Sequence, residues 1–178
     1  ANIIHDIVEG ILFYDITSIF LHPDAFNWII KKAKDLYKNK KIDMLVAVES
    51  RGFIFASALA YELGLPFTLA RKAGKLPGET IKASYSLEYG EATLEVHKDD
   101  IKKGQNILLI DDLIATGGTL KATASLVEKL GAKVVGIFGV IGLPFLLYAV
   151  TFTSLTRNCE PISTFSFNSS IFLAFWKF

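Results

Sequence analysis

The thirteen residues from Ile107 to Thr119 read Ile-Leu-Leu-Ile-Asp-Asp-Leu-Ile-Ala-Thr-Gly-Gly-Thr and hold the most legible chemistry in the chain. Gly117 and Gly118 let the backbone fold tightly with its N–H groups turned inward. Thr116 and Thr119 add hydroxyl donors, and a helix that follows would present its positive end, so the segment is suited to hold a phosphate. Asp111 and Asp112 come just before it, at the carboxyl end of an apolar run that reads as a parallel strand, which is where open α/β sheets bind ligands. Carboxylates there suit sugar hydroxyls, directly or through a metal and its waters. A plain capped turn would need only one acid and one glycine. No Lys-Ser or Lys-Thr follows the glycines, so this is neither the nucleotide P-loop nor the dinucleotide fingerprint.

These residues need a scaffold, and the flanking patterns supply one. Pro23 opens a stretch in which Phe26, Ile29, Ile30, Ala33, Leu36 and Tyr37 recur at helical spacing with lysines between them. Ile42–Val48 is a short branched apolar run, and Gly52–Leu63 is a buried helix that Gly64 can cap in a left-handed conformation. Pro66–Ala70, Thr93–His97, Asn106–Asp112 and Val134–Ile141 read as strands, and Thr119–Gly131 as a helix. Arg71–Glu91 has three glycines, a proline and alternating charges without a defensible period, and is expected to be a long mobile loop. Strands alternating with helices imply an α/β fold, a mostly parallel central sheet flanked by helices.

The Ile107–Thr119 segment resembles the phosphoribosyl-diphosphate motif of the type I phosphoribosyltransferases. The resemblance implies that Asp111 and Asp112 contact the ribose and that Ala115, Thr116, Gly117, Gly118 and Thr119 cradle the 5′-phosphate. Three further stretches, in the same order and spacing, point to the adenine branch of that family. Glu49-Ser50-Arg51-Gly52-Phe53 is similar to its pyrophosphate loop, Arg71-Lys72-Ala-Gly-Lys75-Leu-Pro-Gly78 to a basic loop, and Ser84-Tyr85-Ser-Leu-Glu88-Tyr89-Gly90 to a flexible catalytic loop.

What this likeness implies is transfer of the phosphoribosyl group to adenine, giving AMP and pyrophosphate. Arg51, Lys72 and Lys75 would stabilise charge developing on the leaving diphosphate, together with Mg²⁺ held through substrate oxygens and waters rather than directly by the protein. Glu88 would handle the proton of the base, Tyr89 would help close the site, and Arg71 would reach the partner's site in a homodimer. Gly10–Asp15 resembles a small base-covering segment at the N-terminus, where Leu12, Phe13 and Tyr14 meet the purine and Phe13 stacks on it. Many relatives carry Arg where Tyr14 stands.

Bulk properties bound the partners. The net charge of +1, from 19 basic and 18 acidic side chains, gives no field to hold a polyanion, so nucleic acid is not expected. Cys159 is the single cysteine, and His5, His22 and His97 have no metal-ligand spacing, which fits a reducing cytoplasm. Val134–Leu155 is 22 residues without a charge, but Gly136, Gly139, Gly142 and Pro144 interrupt it, so a buried strand is expected rather than a membrane span. The likeness covers about residues 3–146 and defines the expected domain, 1–146. From 147 to 178 the chain is an apolar tail without the charged helix usual in relatives, expected to pack on or extend that domain.

The alternative function is a catalytically inactive or regulatory relative that binds phosphoribosyl diphosphate without turning it over. A regulator would be expected to bring a DNA-binding segment, and neither the residues before Ile3 nor those after Leu146 read as one. The presence of Glu88 and of the basic loop favours catalysis.

Overall fold

The computed structural model describes residues 5–8, 11–14, 16–87, 90–114, 117–142, 160–167 and 171–177; for 5–8, 11–14, 86, 87, 90, 142 and 160 onward only the backbone is described. β1 (His5–Val8) and β2 (Ile11–Tyr14) form a two-stranded antiparallel sheet of their own. A 3-10 turn (Ile16–Leu21) leads into α1 (Pro23–Tyr37), then β3 (Met44–Val48), α2 (Gly52–Leu63) and β4 (Phe67–Lys72). β5 (Thr80–Leu87) and β6 (Gly90–His97) form a hairpin. β7 (Asn106–Ile114), α3 (Gly118–Lys129) and β8 (Lys133–Gly142) follow, with β9 (Glu160–Phe167) and β10 (Ile171–Lys177) closing the order.

The main sheet runs β5-β6-β4-β3-β7-β8-β10-β9, with β4, β3, β7 and β8 mutually parallel and the outer strands antiparallel. Alternation along the central strands splits their side chains between two cores. Leu45, Ala47, Leu108 and Ile110 face α1, α2 and the 3-10 turn, packing with Phe55, Leu59, Ile29 and Ala33. Val46, Val48, Ile107 and Leu109 face the other way, against Leu120, Leu126 and Val127 of α3 and Ala83, Leu94 and Val96 of the hairpin. Each such fully buried aliphatic or aromatic side chain contributes about 1.5–3 kcal/mol. The phenol of Tyr37 donates to the Ile137 carbonyl at 2.9 Å, tying α1 to the sheet, and burial raises its pKa strongly.

Most sequence expectations recur here: α1, α2 with its Gly64 cap at φ 65°, β3, β4, β7 and β8 stand within a few residues of where the patterns put them. The expected loop over Arg71–Glu91 is mostly not a loop. Among its described residues only 73–79 are irregular; Thr80–Leu87 is a strand with Ile81, Ala83 and Tyr85 turned inward. Its inward residues include a small alanine and its outward ones Lys82 and Ser84, so the alternation carries little hydrophobic contrast. The uncharged stretch from Val134 begins as β8, and among the described residues no helix is long and apolar enough to cross a membrane.

Candidate functional site

The topology fixes where a ligand can sit. From β3 the chain passes through α2 on one face to β4, and from β7 through α3 on the opposite face to β8. β3 and β7 are adjacent, so the two crossovers diverge from a switch point and leave a crevice beyond their carboxyl ends. The chemistry-bearing segments gather at that end.

At the end of β3, the peptide between Glu49 and Ser50 is cis and Arg51 occupies the N-cap of α2. Arg51 Nε donates to Asp112 Oδ2 at 2.5 Å, joining the expected diphosphate and ribose residues directly. Asp112 is nearly covered while Arg51 stays more than a third exposed, so the pair sits at the lip of the crevice. Gly52 allows this approach: a Cβ there would lie 2.9 Å from the Ile110 carbonyl oxygen and 3.2 Å from Asp111 Cα.

Asp111 is buried, and its Oδ1 accepts the Asp112 N–H at 2.8 Å. Burial first, and then the neighbouring Asp112 carboxylate, raise its pKa well above the usual carboxylate range, against smaller opposing effects of the Asp112 N–H and Arg51. A carboxyl raised on folding favours the folded state fully below its ordinary value of 3.8, and that advantage is lost as pH rises through the folded value. Above that ordinary value the cost of ionising Asp111 in the folded protein therefore weighs against folding. Asp111→Asn keeps the Oδ1 acceptor and removes the charge, so it is expected to stabilise the protein by about 1 kcal/mol at pH 7 and to flatten stability above pH 4. Thermal unfolding of both proteins across that range checks this, and a less stable variant at pH 7 would refute it.

Glu49 lies between β3 and β4. Its Oε2 accepts the Lys72 N–H at 2.7 Å and its Oε1 lies 3.4 Å from an Arg71 guanidinium nitrogen. Burial acts to raise its pKa, but the Lys72 N–H and the Arg71 charge outweigh it and hold the carboxyl below its usual range. The Arg71 guanidinium stacks 6.0 Å from the Phe53 ring centroid and also donates to the Lys75 carbonyl at 3.2 Å. Its Nε is buried without a partner among the described residues. Lys72 and Lys75 are exposed, and neither ammonium enters a salt bridge among the described residues.

Gly117 takes a positive φ of 76° as the N-cap of α3, and the Lys121 N–H donates to its carbonyl at 2.9 Å. Gly118 and Thr119 form the first turn, leaving their N–H groups unpaired within the helix as an anion would require. Ala115 and Thr116 lie outside the described residues, as do Glu88 and Tyr89; Leu12, Phe13 and Tyr14 are described only as backbone of β2, and Ser50 as the residue between the cis peptide and Arg51.

One residue escaped the sequence reading. Glu95 on β6 is 1% exposed, and its carboxylate accepts the backbone N–H groups of Lys75 and Leu76, both at 2.9 Å, and the Thr80 hydroxyl at 3.1 Å. The Leu76 N–H leads the contacts that hold its pKa below the usual range, against a desolvation that acts the other way. The carboxylate lies against the backbone of the 73–79 segment and the start of β5. Flanked by Leu94 and Val96, it reads in sequence as the outward member of an alternating strand.

Among the described residues no cluster of three metal-ligating side chains occurs. The paired Asp111 and Asp112 carboxylates are oxygen donors of the kind that suits Mg²⁺ and its waters.

The sequence model of the family described as "Phosphoribosyl transferase domain" matches residues 15–144. The adenine phosphoribosyltransferase of Treponema denticola is 60% identical over 141 residues, covering 79% of this chain and 74% of that one. That of Desulfosudis oleivorans is 51% identical over 139 residues, 78% and 80% of the two chains. Among solved structures, adenine phosphoribosyltransferase from Thermoanaerobacter pseudethanolicus superposes with a TM-score of 0.80 at 42% identity, over 85% of this chain and 91% of that one. The Saccharomyces cerevisiae enzyme, complexed with an imino-altritol bisphosphate and adenine, gives 0.75 at 42% identity over 82% and 85%.

Proposed function

Because this chain belongs to the adenine phosphoribosyltransferases, we propose that it makes AMP and pyrophosphate from adenine and phosphoribosyl diphosphate in the crevice between β3 and β7. The observation that carries the placement is the convergence of Arg51, Glu49 and the Asp111–Asp112 pair, from two separate crossovers, at the switch point of the sheet.

In this reading Asp111 and Asp112 orient the ribose hydroxyls, and Gly117, Gly118 and Thr119, continuing Ala115 and Thr116, hold the 5′-phosphate at the positive end of α3. The bond from the anomeric carbon to the diphosphate oxygen breaks as a bond to the purine nitrogen forms. Charge accumulates on the departing diphosphate, where Glu49, Ser50, Arg51, Arg71, Lys72 and Lys75 line the exit and its cations offset that charge. Mg²⁺ bound with the substrate would draw further charge from the same oxygens. Because the sugar carbon becomes electrophilic, water must be kept away until the base is in place. Leu12, Phe13 and Tyr14 are assigned to the base, while Glu88 takes its proton and Tyr89 helps to close the site.

Incubation with phosphoribosyl diphosphate, Mg²⁺ and, separately, adenine, hypoxanthine and guanine tests this. AMP and pyrophosphate in equal amounts with adenine alone is the expected result; binding of phosphoribosyl diphosphate without product from any base would favour the inactive reading. By the family resemblance Arg71 reaches the partner subunit's site, which would make a homodimer the active unit. The same preparation is expected to sediment as a dimer, and a monomer at assay concentration would remove that part of the proposal.

A further inference from the structure

The 73–79 segment is built around a carboxylate. Gly74 at φ 84° and Gly78 at φ 79° bend it, Pro77 contributes no N–H, and the consecutive N–H groups of Lys75 and Leu76 both point at Glu95 Oε1. Two successive amides converging on one oxygen form the concave nest that elsewhere binds free anions. Here the anion is a side chain of the protein. On its other oxygen, Glu95 accepts from Thr80 at the start of β5, with Lys82 Nζ 3.7 Å away. Lys82 is the register neighbour of Glu95 on β5 and Arg71 is its register neighbour on β4, so the clasp joins both strands that the segment connects.

We infer that Glu95 is a positioning residue for the diphosphate site: it fills the amide nest of the 73–79 segment and thereby sets where Lys75 projects beside Lys72, the last residue of β4. This rests on the assignment of those lysines to the diphosphate. Two consequences follow from the geometry. The Lys75 and Leu76 amides are already engaged with Glu95, so those two N–H groups are not offered to substrate, whereas the Lys75 ammonium is. And because both lysines are exposed and free of salt bridges among the described residues, nothing except the backbone course fixes their direction. A displacement of about 1 Å in positioning groups can lower a rate by up to roughly a hundredfold.

The experiment compares Glu95→Ala, Glu95→Gln and the double variant Lys72→Ala/Lys75→Ala, measuring KM for phosphoribosyl diphosphate, KM for adenine, kcat and hydrogen exchange across 73–79. Glu95→Ala is expected to raise KM for phosphoribosyl diphosphate about tenfold, leave KM for adenine unchanged and expose the Lys75 and Leu76 amides to exchange. Glu95→Gln retains the acceptor oxygen and is expected to recover most of the loss. If the double lysine variant raises that KM while Glu95→Ala does not, the clasp is refuted and the lysine assignment stands. If the double variant changes nothing, the lysine assignment fails and the inference falls with it. If Glu95→Ala moves both KM values equally and Gln does not rescue, Glu95 is only structural. Should Glu95→Ala not fold, Thr80→Val removes one donor to the same carboxylate. A rise of about threefold to fivefold in KM for phosphoribosyl diphosphate would then support the clasp, and no change would overturn it.

Discussion

Glu88→Ala is expected to lower turnover with adenine by about 10²- to 10⁴-fold while leaving the binding of phosphoribosyl diphosphate nearly unchanged, the range usual for loss of a positioned general base. The described strands give the physical case. β5 and β6 pair through Leu87↔Gly90, so Glu88 and Tyr89 are the whole of the connection between them. β6 pairs with β4 at Arg71↔Glu95 and Lys72↔Leu94, running antiparallel to it, so its first four residues extend past the carboxyl end of β4. From Glu95 back to Gly90 is five residues, or roughly 17 Å of strand. The arm therefore projects on the same side of the sheet as the crevice, and Ala83 and Leu94 anchor its base in the core shared with α3. Single-turnover measurements with wild type, Glu88→Ala and Glu88→Gln separate chemistry from binding. Turnover retained in both variants would move the proton to another acceptor, and loss of phosphoribosyl diphosphate affinity alone would make Glu88 a binding residue.

Gly52→Ala is expected to lower kcat/KM about a hundredfold and stability by about 2 kcal/mol, although the substitution adds one methyl group. The new carbon would sit 2.9 Å from the Ile110 carbonyl oxygen and 3.2 Å from Asp111 Cα, both backbone atoms of a central strand that cannot turn aside. Either the first turn of α2 moves away from β7 or β7 bends. Each response separates Arg51 from Asp112, now 2.5 Å apart, and shifts Asp111 beside it. Gly139→Ala is a useful contrast: Gly139 is the register neighbour of Asp111 on β8, yet its added carbon would meet the Ile114 side chain at 2.5 Å rather than backbone, and a side chain can repack. A Gly52→Ala enzyme with normal activity and an unchanged unfolding temperature would show that the helix start has slack.

The sequence made the central strands and three helices legible because apolar contrast in them is strong: Ile107–Ile110 and Leu45–Val48 have no polar interruption. The acids and glycines from Asp111 to Thr119 were legible because their types converge on one chemistry. Two other features depend on contacts between distant segments. Thr80–Leu87 became a strand because β6 gives it a partner, whereas its own alternation of isoleucine, alanine and tyrosine with lysine and serine is weak. Glu95 became buried because residues nearly twenty positions earlier fold across it. The Arg51–Asp112 contact, 61 positions apart, likewise follows from the adjacency of β3 and β7, which no local pattern encodes.

The layout of the crevice has a bearing on how such proteins diversify. Each part of the ligand is assigned to a different connection: the base to the N-terminal β1–β2 hairpin, the diphosphate to the turns after β3 and β4, the ribose and its phosphate to the segment after β7. The strands beneath are closed on both faces and tolerate little change, and while Arg51–Asp112 and Glu49–Arg71 tie the diphosphate and ribose connections together, β1 and β2 form a sheet of their own, not hydrogen-bonded to the main one. Selection on the first hairpin can therefore alter which base is accepted without disturbing the handling of the sugar phosphate, and a lineage can exchange one half of its substrate while inheriting the other intact.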